Sequence, residues 1–380
     1  MLDRPSAMLL LRDAQRTDRG ALRALARELN SVNLPLDDRA LADILRRSRL
    51  SFAGQLPALE RTYVFVLEDP ARGRVLGTSM LIAQHGTHES PCTFFDVTER
   101  EHYSSTLDRH FRHQVLSIGY HFDGPTEVGG LVVRPGDRGG EARPGKQLAY
   151  VRFLYLAMHR QGFRDRVLAE LMPPLLPDGR SLFWESCGKR FTGLGYQEAD
   201  KMSRANKEFI QQLFPPGGIY ATLFPPKVER LLGAVGPGAQ GVAHLLERIG
   251  LRPVSRIDPF DGGPHYEART DEVSLVAGHR RLSVARRALE AAAGGPTVLV
   301  GVDRPSGELR FRAVRTPLRV EGEEALLPGE ARRLLGVKPG QAVHVVPFDE
   351  GGAPPLAGPG RARRGGSSRR GGRSRARPPA

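Results

Sequence analysis

Apolar residues recur along this chain with two different periods, and the alternation between them predicts a mixed α/β protein. Met8–Arg12 reads as a short strand. Thr17 or Asp18 then caps a helix in which Leu22, Leu25 and Leu29 recur at helical spacing, until Asn33-Leu34-Pro35 ends it. A second helix is predicted near Arg39–Ser48. Tyr63–Glu68 and Val75–Ala83 are strands joined by the turn residues Asp69-Pro70-Ala71-Arg72-Gly73. The next firm strand is Thr126–Val133, followed by a loop from Gly136 to Gly145 rich in glycine and charge. A helix from about Lys146 to Arg160 places Leu148, Val151, Leu154, Tyr155 and Met158 on one face. Val167–Leu171 is a further strand, Leu182–Arg190 a short helix, and Gly193 to Asp200 a loop and strand. Helices are expected over 206–214, 226–235 and 241–250, and a strand starts at Pro253–Arg256. Strands at Thr297–Val302, Leu309–Val314 and Val343–Pro347, with a short helix at Gly329–Leu335, complete the pattern.

The chemistry concentrates in the strand, loop and helix at 126–160. A helix N-terminus carries unpaired N–H groups and a partial positive charge, so it favours phosphate. Gly139, Gly140 and Gly145 let backbone approach such a ligand closely, and Arg138, Arg143 and Lys146 surround it with positive charge. Gly140 and Gly145 frame four residues and Lys146 follows, but Gln147 stands where a nucleotide-triphosphate loop needs a hydroxyl for Mg²⁺. The loop therefore suits a pyrophosphate-bearing ligand other than a nucleoside triphosphate.

Several runs then become familiar. Tyr63-Val64-Phe65-Val66-Leu67-Glu68-Asp69, Gly145-Lys146-Gln147-Leu148, Arg152-Phe153-Leu154, Phe183-Trp184-Glu185-Ser186-Cys187-Gly188-Lys189-Arg190-Phe191 and Ile257-Asp258-Pro259-Phe260-Asp261-Gly262-Gly263-Pro264 occur in order. On these runs the chain resembles the bacterial arginine N-succinyltransferase family, over roughly residues 8–350, and more broadly the GNAT acyltransferases. The resemblance implies an α/β (α+β) fold of two GNAT-like units plus a small C-terminal β element. The expected division is a GNAT-like acyl-CoA-binding unit over 1–200, a second GNAT-like half over 201–275, a small β-rich element over 276–350 and a disordered tail over 351–380. The implied reaction is succinyl transfer from succinyl-CoA, used as co-substrate and not as a resident cofactor, to the α-amino group of arginine. Leu131, Val132 and Val133 would offer backbone groups to the acyl-CoA, while Gly139, Gly140, Gly145, Lys146 and Gln147 would hold its pyrophosphate.

The family carries a histidine, regarded as its proton donor, in a Val-His-Pro run. Here the run reads Val235-Gly236-Pro237, and glycine has no titratable group. His244 and Cys187 are the alternative candidates for that role. Glu170, Glu185 and Asp261 are candidates to bind the basic substrate, a carboxylate being suited to a bidentate bond with a guanidinium. Two readings stay open: an acyltransferase acting on arginine or a related amine such as ornithine, and a non-catalytic acyl-CoA-binding protein.

Histidine spacing raises a metal. His85-x-x-His88-x-x-x-Cys92 and His110-x-x-His113 have local ligand spacing, but a tetrahedral site needs four ligands and the sequence pairs these groups with nothing. No metal is expected.

Composition changes the picture in two places. The chain has 380 residues, enough for two or three domains, and a net charge of +14 that alone would suggest nucleic acid. Eight of those charges are arginines between Arg361 and Arg377, in a segment of Gly, Pro, Ser and Ala with one Leu. Such a segment has nothing to bury and is expected to be disordered, either contacting a polyanion or simply solvated. No apolar run approaches the ~20 residues of a membrane span, and the four apolar residues Met8–Leu11 are too short for a secretory signal. Two cysteines suit a reducing cytoplasm. The partners expected are small molecules and no membrane; a homodimer is compatible with a sequence that does not fix the oligomeric state.

Overall fold

The computed structural model describes residues 8–29, 34–88, 90–203, 208–290 and 294–349. The arginine-rich tail, with the disorder and polyanion contact expected of it, lies outside the described residues. Strand β1 (Leu10–Asp13) precedes helices α1 (Arg19–Leu29) and α2 (Asp38–Phe52). The next strands are β2 (Thr62–Asp69), β3 (Arg74–Ile82), β4 (Cys92–Ser104), β5 (Arg109–His121) and β6 (Thr126–Val133). Helix α3 (Pro144–Met158) leads to β7 (Arg166–Glu170). Short helices α4 (Leu182–Ser186), α5 (Gly188–Thr192), α6 (Tyr196–Ser203), α7 (Glu208–Leu213) and α8 (Pro226–Glu229), with β8 (Ile219–Tyr220) among them, precede α9 (Gln240–Arg248), β9 (Arg252–Ile257) and β10 (Pro264–Arg269). The last segment holds α10 (Ser274–Ala277), β11 (Arg280–Val284), β12 (Thr297–Asp303), β13 (Phe311–Pro317), β14 (Arg319–Glu321), β15 (Glu324–Leu326), α11 (Gly329–Leu335) and β16 (Ala342–Pro347).

All described strands join one sheet, in the order β14-β15-β11-β16-β12-β13-β1-β2-β3-β6-β7-β10-β9-β4-β5-β8. The C-terminal strands enter it where β13 runs antiparallel to β1, with Leu10 opposite Val314. The α/β class expected from the sequence is the class observed.

Alternation in β2 shows how the layers form. Val64 and Val66 point into a core with Leu22, Leu25, Leu41 and Leu45 of α1 and α2. Phe65 and Leu67 point the other way, into a core with Leu148, Val151 and Leu154 of α3. Helix α3 is buried on all sides because the C-terminal strands also close over it, with Leu299 and Phe311 in the same core. A third core, of Phe95, Leu116, Phe183, Trp184, Phe224 and Phe260, joins the short helices to β4, β5 and β9.

Three expectations are corrected. Residues 193–200 form no strand, because Tyr196, Ala199 and Ser203 bury one face of helix α6. The single helix expected over 182–190 is two, broken at Cys187, whose φ of −122° and ψ of −80° leave the helical region. Asp18 does not cap α1 in the expected manner: its carboxylate receives the Arg12 guanidinium at 2.7 and 2.9 Å and the Gln15 N–H at 2.7 Å.

Candidate functional site

Strand β6 runs parallel to β7 for only two pairs, Thr126 with Val167 and Glu127 with Leu168. Beyond them the two strands diverge, and Leu131, Val132 and Val133 lie on the departing end of β6. A bulge marks this departure. The register between β3 and β6 shifts near Met80 and Gly129, and Gly130 adopts a φ of 58°, a conformation that favours glycine. A Cβ there would also stand 2.8 Å from Met80 Cγ.

The loop after β6 is anchored at its base and open at its tip. Arg134 donates its N–H to Leu76 C=O at 2.9 Å, and Arg74 pairs with Asp137 at 2.6 Å. Gly139 and Gly140 are left-handed, and a Cβ at either would meet no atom within 4 Å. Helix α3 begins at Pro144, and its first intrahelical bond runs from Gln147 N–H to Arg143 C=O at 3.1 Å. The N–H groups of Gly145 and Lys146 precede that bond, as an anion site requires. The Lys146 and Gln147 side chains turn inward. Lys146 is buried, with its ammonium 5.0 and 4.7 Å from the ring centres of Tyr150 and Phe348 and 4.0 Å from Asp349. Gln147 is buried too and donates to Ala142 C=O at 2.7 Å.

At the closed end of the splay sits Arg152, which the sequence showed only as a charge inside an apolar helix. It is 2% exposed. Its Nη1 donates to Gly129 C=O at 3.4 Å and its Nε to Ala149 C=O at 3.2 Å, while Nη2 is buried without a hydrogen-bond partner. Burial pushes its pKa down to about 9, against the pull of Glu127.

A polar cluster gathers at the other end of β7. Glu170 ends that strand directly opposite His265 of β10, with Oε1 3.6 Å from His265 Nε2. His85 is fixed by its N–H to Pro125 C=O at 2.8 Å; its Nδ1 lies 2.7 Å from Glu127 Oε2 and its Nε2 3.9 Å from Glu170. Burial would lower the His85 imidazole, but Cys92 and Glu127 hold it well above its ordinary pKa. Burial lowers His265 to about 4. The two histidines thus favour opposite charge states. Asp258 and Asp261 belong to the same neighbourhood, within the tight turn before β10. Asp258 Oδ1 accepts from Phe260 and Asp261 N–H groups at 2.7 and 3.0 Å, and Asp261 Oδ1 accepts from Gly263 N–H at 2.7 Å. Burial and the nearby Glu170 push Asp258 up to about 6, and burial with Asp258 holds Asp261 well above the usual carboxylate range.

The structure thus brings Glu170 and Asp261 into one acidic neighbourhood and adds Glu127, Asp258, His85, Cys92 and His265. The sequence signal for His265 was its place directly after the Phe-Asp-Gly-Gly-Pro run. The other candidates have different surroundings. Glu185 pairs with Lys189 at 2.8 Å. Cys187 lies in the core beside Phe183 and Trp184, where burial pushes its thiol up to about 12, unsuited to proton exchange near neutrality. His244 is exposed on α9, lining an open cavity of about 570 Å³ with Glu247, Arg248 and Arg252. Of the sequence-level histidine groups, His85 and Cys92 come together, but without His88, which stacks on Phe122. His110 is exposed on β5, and His113 there contacts Thr222 at 2.8 Å. Among the described residues no helix is long and apolar enough to cross a membrane.

Comparison with known proteins agrees with this architecture. The family described as arginine N-succinyltransferase beta subunit matches residues 9–275, and its C-terminal domain matches residues 280–347. Arginine N-succinyltransferase subunit alpha of Pseudomonas aeruginosa is 33% identical over 89% of this chain and 99% of its own length. Arginine N-succinyltransferase of Yersinia enterocolitica is 30% identical over 89% of this chain and 97% of its own length. The solved structure of arginine/ornithine succinyltransferase subunit AI from Pseudomonas aeruginosa superposes with a TM-score of 0.77, at 30% identity, covering 90% of this chain and 100% of that one. With the two family matches spanning nearly all of the described fold, this chain belongs to the arginine N-succinyltransferase family of acyl-CoA-dependent acyltransferases.

Proposed function

We propose that this protein transfers the succinyl group of succinyl-CoA to the α-amino group of arginine. The observation that carries the reading is the placing of opposite polar groups about the β6–β7 splay: the buried, incompletely paired Arg152 guanidinium at its closed end, and the carboxyl groups of Asp258 and Asp261 near the end of β7. A succinyl group ends in a carboxylate, and arginine carries a guanidinium, so donor and acceptor each need an opposite charge.

In this reading the pyrophosphate rests on the backbone of Gly139, Gly140 and Gly145 and on the N-terminus of α3. The pantetheine arm enters between the diverging strands, and backbone groups at Leu131–Val133 polarise the thioester carbonyl. Arg152 receives the succinyl carboxylate, while Asp258 and Asp261 orient the guanidinium so that the α-amine faces the carbonyl. The cytoplasm fits this metabolism, with Cys92 and Cys187 both free and buried. The tail beyond residue 350 is then dispensable for turnover, and its removal lowers only polyanion binding.

The test offers succinyl-CoA with arginine, and in parallel with ornithine, to the purified full chain and follows free thiol. Thiol release matched by succinylarginine is the expected result. No release above blank, with CoA binding intact, overturns the reading in favour of an acyl-CoA-binding protein. Release with ornithine alone reassigns the amine.

A further inference from the structure

A second arrangement lies at the end of β7, beside the Asp258–Asp261 turn. Three side chains from different strand ends converge there: His85 after β3, Cys92 at the start of β4 and Glu170 at the end of β7. One ligand atom from each lies within 4.8 Å of the other two. His265 is a neighbour of this trio and not a member of it. It is 1% exposed, its Nε2 has no hydrogen-bond partner, and that nitrogen faces Glu170 Oε1 at 3.6 Å. We propose that His85, Cys92 and Glu170 form a three-ligand binding site for a zinc-class divalent metal, with a fourth position left open.

The donor set argues for this class. One thiolate, one imidazole and one carboxylate suit a borderline-soft ion that takes three protein ligands and keeps one position open, and do not suit calcium or magnesium, which take oxygen. Metal–ligand bonds of about 2.0–2.3 Å put the ligand atoms of a tetrahedral site about 3.3–3.8 Å apart. Glu170 Oε1 lies 3.9 Å from His85 Nε2, just above that range, and all three ligand atoms lie within 4.8 Å of one another, so a small inward movement closes the site. The remaining ring nitrogen of His85 is already engaged, with Nδ1 2.7 Å from Glu127 Oε2. A carboxylate on the far nitrogen is the arrangement that orients a metal-binding imidazole. Burial of Cys92 and His265 keeps competing solvent away, while His85 and Glu170, each partly exposed, leave an entry path.

The site stands or falls independently of the acyl transfer proposed above, because its test reads the metal directly. The full chain is stripped with a chelator and titrated with cobalt(II), then with zinc. One equivalent of cobalt should bind with a thiolate-to-metal charge-transfer band, and zinc should displace it. Cys92→Ser should abolish the band, Glu170→Gln should weaken binding at least about tenfold, and Glu127→Gln should weaken it about 10- to 100-fold. His88→Gln, outside the cluster, should change nothing. X-ray absorption of the zinc-loaded unsubstituted protein should show one sulfur ligand among nitrogen and oxygen, a readout that does not depend on any variant folding. No stoichiometric binding, or a bound zinc without sulfur, overturns the proposal.

Discussion

Arg152 donates to the carbonyl of Gly129, two residues past the last β6–β7 pair, and so holds a guanidinium at the point where the sheet opens. That position costs something in the free protein. Burial lowers its pKa to about 9, which means that the surroundings disfavour its charge. Arg152→Met should therefore leave the unfolding midpoint undiminished, since replacing a poorly compensated buried charge by an apolar side chain is often neutral or stabilising. The same change should lower kcat/KM for succinyl-CoA about 10- to 150-fold, the equivalent of one charged hydrogen bond of about 1.5–3 kcal/mol. Acetyl-CoA, which has no free carboxylate, should bind as before. Equal losses with both donors would show that Arg152 shapes the fold and not the choice of acyl group.

Asp261 has two tasks that one substitution can separate. Its Oδ1 accepts from Gly263 N–H and fixes the turn before β10, and in the proposed reading its carboxyl group meets the guanidinium of the acceptor. Asp261→Asn keeps an acceptor oxygen and removes the charge. The expected outcome is an arginine KM raised about tenfold, corresponding to about 1.4 kcal/mol, with kcat little changed. Steady-state kinetics at saturating succinyl-CoA decide it. A fall in kcat with KM unchanged would place Asp261 in the chemical step instead.

A pH effect on stability should come from a different part of the sheet. His279 and His344 stack with ring centres 5.1 Å apart, and His279 Nε2 lies 2.9 Å from His344 Nδ1. Burial, and then the neighbouring His279, lower His344 to about 4 from an ordinary 6.5. Between those values the unfolded chain binds a proton that the native protein does not. Stability should thus decline as pH falls from 6.5 towards 4, with no further loss from this group below that point. Urea midpoints at several pH values across that window should show a shallower decline in His344→Gln than in the unsubstituted chain. Parallel declines would mean that other groups set the acid limb.

The main layers were legible because their periodicity is strong. Helix α3 occurs at Pro144–Met158 against an expected 146–160, and α11 at the expected Gly329–Leu335. Strands β4 and β5 were not legible. Beyond Thr98 and before His113 they form an exposed hairpin, and Glu99-Arg100-Glu101-His102 has no apolar face to alternate with. The Trp-Glu-Ser-Cys-Gly run was visible as a motif, but its reason is spatial: a Cβ at Gly188 would stand 2.3 Å from the Trp184 ring. The phosphate loop could be read because glycine and charge adjoin in sequence. The cluster at Glu170 could not, since His85, Glu170 and His265 come from strand ends far apart in the chain and meet only through β-sheet register. Sequence spacing carries helix faces and loops, and non-local register carries this site.

Gly236 offers the sharpest test of how local packing constrains chemistry. It is linked to the site through the sheet: its N–H donates to Met172 C=O at 2.9 Å, while Leu171 N–H donates to Pro264 C=O at 3.1 Å beside His265. A titratable side chain at 236 would thus be well placed by position. The backbone leaves no room for one. A Cβ would lie 2.6 Å from Pro173 O and 2.9 Å from Met172 O, closer than a side chain can stand to fixed carbonyls. Gly236→Ala should therefore destabilise the protein by about 1–3 kcal/mol, the usual cost of overpacking, and Gly236→His by at least as much. Urea midpoints measure both, and thiol release measures whether the histidine variant gains activity. No gain is expected, because the side chain can enter only by displacing Met172 and Pro173, and with them the end of β7 that holds Glu170. An unchanged midpoint together with faster turnover would show that the 172–173 backbone yields readily and that position 236 is a working proton-transfer site.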